Sequence, residues 1–377
     1  MVDIATSPDD WRAALLVCAP SIERVPLGDR YILYSAASGA ILTTDDVGLA
    51  IVSDVVAPSG KAACLPPEII DAVLRAWETA GLFNDVQLPF PDPVTDDGHS
   101  VQYRREYATE WGALSVETDD AILANQLEKL FWAFASPVGM PLGSSARIRC
   151  VSCDGNGLGV FRDGQALWGR ASINAARYLI LREMAEALCG ADRVGAVLHG
   201  AAVLGRAGAL LILGDSGRGK STLAQGLIDA GCGFLADDHL PLHVDGDRLF
   251  AFPTGSAIKN GARDLVEVRR LMALHGDCRS ERNGVSYVPI APAVAPGTSV
   301  PLAAVVFPEF VSDADAHMTQ MGRETAFIEA IASGSRPSRH RAQIAPLVKL
   351  FATVPAYALR YGTSAQSVEA CLELLDA

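Results

Sequence analysis

Basic residues are scarce in this chain. Its 377 residues carry 31 Lys and Arg against 44 Asp and Glu, a formal net charge of -13. That balance excludes nucleic acid as the main partner, because a phosphate backbone demands clustered Lys and Arg. It does not exclude one small phosphate-bearing ligand, which needs only a few local donors and a metal ion. Long apolar runs are also lacking: the stretch 207–213 is among the longest, far short of the ~20 residues of a membrane helix. The first 20 residues hold Asp3, Asp9 and Asp10 and show no basic start followed by an apolar run, so no secretory signal is read. No membrane partner is expected, and the expected location is the cytoplasm. Of eight cysteines, Cys150 and Cys153 form a CxxC pair, but no second pair or His pair follows at zinc-like spacing, so reduced, partly buried thiols are the reading. There are no internal repeats and no low-complexity tracts.

What is present suits a globular protein. Half the residues are hydrophobic and 20% are charged, and the length suits two or three domains. The first region runs to about residue 92. Residues 31–34 read as a strand and 39–42 as its return after a Ser-Gly turn. Thr44-Asp45-Asp46 reads as a cap for a helix to Val56. Pro66 and Pro67 open a second helix, whose Ile69, Ile70, Val73, Leu74 and Trp77 keep helical spacing up to Gly81. The proline-bearing stretch 89–100 reads as a linker. Beyond it, 121–134 reads as an amphipathic helix, 147–153 and 157–161 as strands with turns at 154–157 and 163–164, and 173–189 as a long helix.

The chemistry lies further on. Residues 209–213 are continuously apolar, the mark of a strand buried on both faces. They lead into Gly214-Asp215-Ser216-Gly217-Arg218-Gly219-Lys220-Ser221, a full match to G-x-x-x-x-G-K-[ST], with a helix through Thr222, Leu223 and Leu227 behind it. Glycines let the backbone curl so that N–H groups converge on an anion, and the helix start adds partial positive charge. Lys220 reaches the outer phosphates and Ser221 ligates magnesium. Residues 214–222 are thus the nucleotide-binding segment, with ATP and Mg2+ as the expected cofactors. The next strand ends in Asp237-Asp238, only 17 positions after Lys220 (237 − 220). A carboxylate pair at a strand's C-terminal end beside such a loop can hold magnesium and accept a proton from an attacking hydroxyl. Asp238 joins Ser221 as the metal-ligand candidate, although the sequence does not divide the two tasks between the acids. His199, in Leu198-His199-Gly200 upstream of the buried strand, is the third element.

His199-Gly200, the loop 214–221 and Phe234-Leu-Ala-Asp-Asp238 resemble, in order and spacing, the catalytic domain of bacterial HPr kinase/phosphorylase. The specific part covers 197–239, and Pro355-Ala-Tyr-Ala-Leu-Arg-Tyr361 followed by a terminal helix looks like the family's ending. The resemblance implies an HPr-kinase/PEP-carboxykinase-like P-loop α/β domain over 93–377. Its catalytic set would be Asp237, Asp238, His199 and Lys220, and because HPr kinases form rings it implies a homo-oligomer. Thr222 stands where those kinases carry Glu. The Glu-Ile-Arg-Gly-Leu-Gly signature is missing, and Glu267-Val-Arg-Arg270 is a fragment of it. These departures turn the resemblance toward the HPr-kinase-like enzymes of modified-peptide pathways, some of which phosphorylate a serine of a lasso-peptide precursor. Residues 22–83 similarly resemble the small winged-helix-like PqqD domains, which capture leader peptides. That implies a peptide-binding α+β domain over 1–92.

Three further features are open at this stage. Lys259 can meet the transferred phosphate. Residues 301–307 read as a buried structural strand. Arg336, Arg339 and Arg341 form a basic segment able to close over a triphosphate. The expectation is an ATP- and Mg-dependent kinase transferring the γ-phosphate to a serine of a peptide or protein. The alternatives are a small-molecule kinase and a non-catalytic peptide-binding protein switched by nucleotide.

Overall fold

The computed structural model describes residues 21–56, 62–83, 100–134, 146–153, 157–259, 269, 285–290 and 293–376. The stretch 89–99 of the expected linker, most of the 154–157 turn and nearly all of the 267–270 fragment lie outside them. The protein is α/β, with several sheets covered by helices.

The chain begins with β1 (Ile22–Leu27), β2 (Arg30–Ser35) and β3 (Ile41–Thr44), an antiparallel sheet in that order. The strand 22–27 was not expected from sequence. Asp45 caps α1 (Asp46–Val56) as read, its carboxylate accepting from the amides of Val47 and Gly48 at 3.1 Å each. α2 (Pro67–Thr79) starts on its proline and stops at Ala80, before Gly81. The strand period of two divides β2 between two cores. Leu33 packs with Ile22, Ile51, Val52, Leu74 and Trp77, whereas Ile32 and Tyr34 join the main core of the molecule.

A five-stranded sheet follows, in the order β4 (Tyr103–Ala108), β5 (Ala113–Thr118), β6 (Ala146–Ser152), β7 (Leu158–Arg162) and β8 (Gln165–Ala171). Helix α3 (Ala121–Leu130) lies between β5 and β6 in sequence, and α4 (Ile173–Cys189) ends the unit with the bounds read from the sequence. Strands β4, β5 and β8 escaped sequence reading because polar letters interrupt each of them. In β5, Ser115, Glu117 and Thr118 are all buried, and Arg149 and Arg104 lie 3.8 and 3.7 Å from the Glu117 carboxylate.

All but two of the remaining described strands form one large sheet. In chain order they are β9 (Val194–Leu198), β10 (Gly200–Leu204), β11 (Ala209–Leu213), then helix α5 (Lys220–Asp229), β12 (Gly233–Asp237), β13 (Leu240–His243) and β14 (Arg248–Phe250). A two-stranded ribbon, β15 (Ser256–Lys259) and β16 (Val285–Val288), stands apart. The sheet resumes with β17 (Ser299–Phe310), β18 (His317–Gln320), α6 (Arg323–Ala332), β19 (Arg336–Pro337), α7 (Ala345–Thr353), β20 (Ala356–Tyr361) and α8 (Ser364–Asp376). Its main order is β12-β10-β11-β17-β14-β13-β9-β19, with β20 also on β17. β11 is buried along its whole length, yet the sheet around it is mixed: it runs antiparallel to β10 and parallel to β17. Because β12 is also antiparallel to β10, β11 and β12 point the same way. Their C-terminal ends, with those of β17 and β20, meet on one edge.

Consecutive strands β9 and β10 sit in different parts of this sheet, and His199 is the corner between them. Gly200 follows because a Cβ there would stand 2.4 Å from the Ile212 carbonyl oxygen. The first sheet is fastened to this body by Glu23, whose carboxylate accepts from the amides of Ile344 and Ala345 at 2.7 and 3.1 Å and so caps α7. Among the described residues, no helix is long and apolar enough to cross a membrane.

Candidate functional site

The site is built where β11 gives way to α5. The chain turns through Gly214, Asp215, Ser216, Gly217, Arg218 and Gly219, with Gly214, Gly217 and Gly219 at φ 124°, 89° and 94°. Gly219 is required twice over: its φ is left-handed, and a Cβ would meet the Tyr361 hydroxyl at 2.4 Å. Lys220 is the first residue of α5 and is buried. Its ammonium folds back to donate to the carbonyls of Gly214 and Asp215, at 2.6 and 3.0 Å. The loop is thereby drawn around the start of a helix, whose first amides have no acceptors within the helix.

The next residue reaches the acid pair. Ser221 Oγ donates to Asp237 Oδ1 at 3.0 Å, and Ser256 Oγ donates to Oδ2 at 2.6 Å. Thr254 Oγ1 donates to the Asp237 carbonyl at 3.0 Å, and Gln225 Nε2 donates to Ser256 Oγ at 3.2 Å. Asp237 is therefore a buried carboxylate held from both sides by hydroxyls. Its oxygens and that of Ser221 form the hard-oxygen donor set that suits magnesium.

Asp238 is arranged differently. Its backbone is left-handed, φ 76°, a conformation that Asp tolerates better than most residues. Its amide donates to the Gly200 carbonyl at 2.7 Å. The turn presents the carboxylate to His199, whose Nδ1 lies 3.2 Å from Oδ1 and 3.1 Å from the Asp238 carbonyl oxygen. Both neighbours are acceptors, which assigns the hydrogen to Nδ1. Desolvation pushes the Asp238 pKa upward, but the His199 hydrogen bond, together with Arg177 and with His239 and His199 when they are protonated in acid, outweighs it. The carboxyl is held below the ordinary carboxylate range. Its side chain is still 40% exposed, so it is an ionised carboxylate that solvent can reach.

Of the two metal-ligand candidates, Ser221 contacts Asp237, whereas Asp238 contacts His199. The left-handed turn at Asp238 sends the two adjacent carboxylates to different neighbours. The expectation for the basic segment is corrected by the structure. Arg339 Nη1 donates to the buried Glu183 at 3.3 Å, Arg341 Nη1 to the Asp192 carbonyl at 2.5 Å, and Arg336 Nη1 to the carbonyls of Ile331 and Ser335 at 2.6 and 2.7 Å. Buried Glu186 accepts from Ser338 Oγ and the Arg339 amide. The segment is thus anchored to α4. It flanks His199, whose amide donates to the Ser335 hydroxyl Oγ at 3.4 Å. The side chain of Lys259 lies outside the described residues. Cys150 is buried in β6, and burial pushes its thiol pKa far up, away from thiolate chemistry.

Sequence reasoning missed Ser256, Thr254, Arg177 and His239. His239 is 1% exposed and lies beneath the Tyr178 ring at 4.9 Å, and neither ring nitrogen has a hydrogen-bond partner among the described residues. Burial lowers its pKa to about 4, against the opposing pull of Asp238. It is therefore neutral at pH 7, and its 3.7 Å approach to Asp238 is not an ion pair. The unfolded chain binds this proton near pH 6.5 and the folded one only near 4, so stability is lost as pH falls through that window. From pH 7.5 to 5.5 the loss is about 1.4 kcal/mol. Urea midpoints should show that slope in the wild type and a flatter one in His239→Phe; equal slopes would contradict the assignment.

No family model matches this sequence, and no curated protein matches it. Among solved structures, the chain is similar to the HPr(Ser) kinase/phosphatase from Coxiella burnetii, at 12% sequence identity and a TM-score of 0.24. That match covers 47% of this chain and 97% of the other. The functional reading therefore rests on the site itself.

Proposed function

We propose that this protein is a magnesium-dependent kinase that transfers the γ-phosphoryl group of ATP to a serine hydroxyl of a peptide or protein. The observation that supports the reading is the different setting of the two acids: Asp237 on the Ser221 hydroxyl beside the glycine loop, Asp238 on His199. The amides of 214–221 and the Lys220 ammonium bind the phosphates, in the manner of a P-loop. Ser221 and Asp237 hold magnesium, which supplies charge neutralisation on the phosphates. Asp238 accepts the proton of the serine hydroxyl as its oxygen bonds to the γ-phosphorus and the bond to the bridging oxygen breaks, releasing ADP. His199 keeps the Asp238 carboxylate oriented through Nδ1–H.

Residues 1–92 would hold the substrate peptide while 93–377 carry out transfer. Two observations support this: among the described strands β3 pairs only with β2, which leaves an edge for an extended peptide, and Glu23 ties that sheet to α7. The favoured substrate is a ribosomal precursor peptide of lasso type, with the N-terminal region holding its leader. Incubation with ATP, magnesium and the peptides encoded beside the gene, followed by mass analysis, tests the reading. It predicts a gain of one phosphate on a serine; unmodified peptides beside a phosphorylated sugar or nucleoside would replace it with small-molecule kinase activity.

Ser256 serves the metal side of this scheme. Ser256→Ala removes a buried donor from Asp237, and the magnesium concentration for half-maximal activity should rise about 10- to 100-fold. An unchanged magnesium requirement would remove Ser256 from the site.

A further inference from the structure

Among the described residues, Phe310 is the most exposed of the large apolar side chains, at 58%, and its position gives that exposure a use. It ends β17, which runs parallel to β11 and continues past the glycine loop. A Cβ at Gly214 would have Phe307 Cδ1 as its neighbour, at 3.9 Å. Phe310 is three residues further, roughly 10 Å along the strand, and alternation puts it on the face opposite Phe307, the face of Tyr361. Its register partner on β20 is Tyr361, with ring centroids 5.8 Å apart at 68°. Tyr361 is itself buried, and its hydroxyl sits against Gly219 of the loop. Beside them, Arg218 of the loop reaches Glu309 at 3.3 Å. A flat, solvent-facing ring is thus braced from below by a tyrosine that touches the phosphate loop.

We propose that Phe310 is the shelf on which the nucleobase of the bound nucleotide stacks, with Tyr361 as its support. This rests on the nucleotide reading of the glycine loop and adds a subsite to it. Aromatic faces stack any base, because every base has a π-face and the contact does not read hydrogen-bonding edges. ATP and GTP should therefore depend on Phe310 alike.

Calorimetric titration with Mg·ATP, Mg·GTP and Mg·tripolyphosphate separates the base from the phosphates. In Phe310→Ala, affinity for ATP and GTP should fall about 10-fold, affinity for tripolyphosphate should stay at the wild-type value, and Phe310→Trp should retain nucleotide binding. Wild-type ATP affinity in Phe310→Ala overturns the shelf, as does a loss shared equally by tripolyphosphate. A wild type that binds tripolyphosphate and ATP with equal affinity also overturns it, while leaving the phosphate site standing. A wild type that binds none of the three ligands refutes the phosphate site, and the shelf with it.

Discussion

Lys220→Ala should lower phosphoryl transfer by at least about 100- to 1,000-fold, the range seen when one preorganised donor is removed from a site of developing negative charge. The physical reason is local. The ammonium is buried at the first turn of α5 and is held over the loop by the carbonyls of Gly214 and Asp215. Alanine is the best helix former and leaves α5 intact, so the protein should stay folded, with some stability lost with the two loop hydrogen bonds, while Mg·ATP binding weakens. Lys220→Arg should not rescue transfer. A planar guanidinium does not replace a compact ammonium folded into a two-carbonyl seat. Wild-type transfer in either variant would show that the loop does not hold the reacting phosphate.

Asp238→Asn should lower kcat by about 100- to 10,000-fold, the contribution of a positioned general base, with the apparent affinity for Mg·ATP nearly unchanged. Asparagine is the informative replacement for two reasons. It tolerates the left-handed backbone that Asp238 adopts at φ 76°, so the turn keeps its shape. Its side-chain oxygen can still accept from His199 Nδ1, now 3.2 Å from Asp238 Oδ1, so only the capacity to take a proton is lost. Asp237→Asn should behave differently and raise the magnesium requirement, because Asp237 shares its oxygens with Ser221 and Ser256. If the two variants were interchangeable in kcat and in magnesium dependence, the division of roles between the acids would be wrong.

The parts of the site that lie close in sequence were legible from it. The apolar run 209–213, the glycine loop, α5 and the strand ending in Asp237 form one continuous stretch, and each has a local signature: a buried run, left-handed glycines, a helix start. What crosses the fold was not legible. Ser256 reaches Asp237 from the segment after β14, and Tyr361 reaches Gly219 from β20 at the far end of the chain. A lone serine or tyrosine carries no pattern that announces such contacts. The arginines of 336–341 misled for the same reason: their sequence shows three positive charges, but not the buried Glu183 and Glu186 on α4 that hold the segment. Strand β5 was hidden by its own buried Ser115, Glu117 and Thr118, which read as surface letters. His239 stood next to the acid pair in plain sight, yet only packing against Tyr178 reveals it as a buried, neutral ring.

The central claim is that a phosphate held by the loop passes to a hydroxyl facing Asp238. A single-turnover reaction that counts ADP and phosphoserine side by side, with enzyme in excess over ATP and the peptide acceptor saturating, tests it most directly. One phosphoserine should form for each ADP released, at the same rate. ADP released without phosphoserine, or ATP held without turnover, would contradict it.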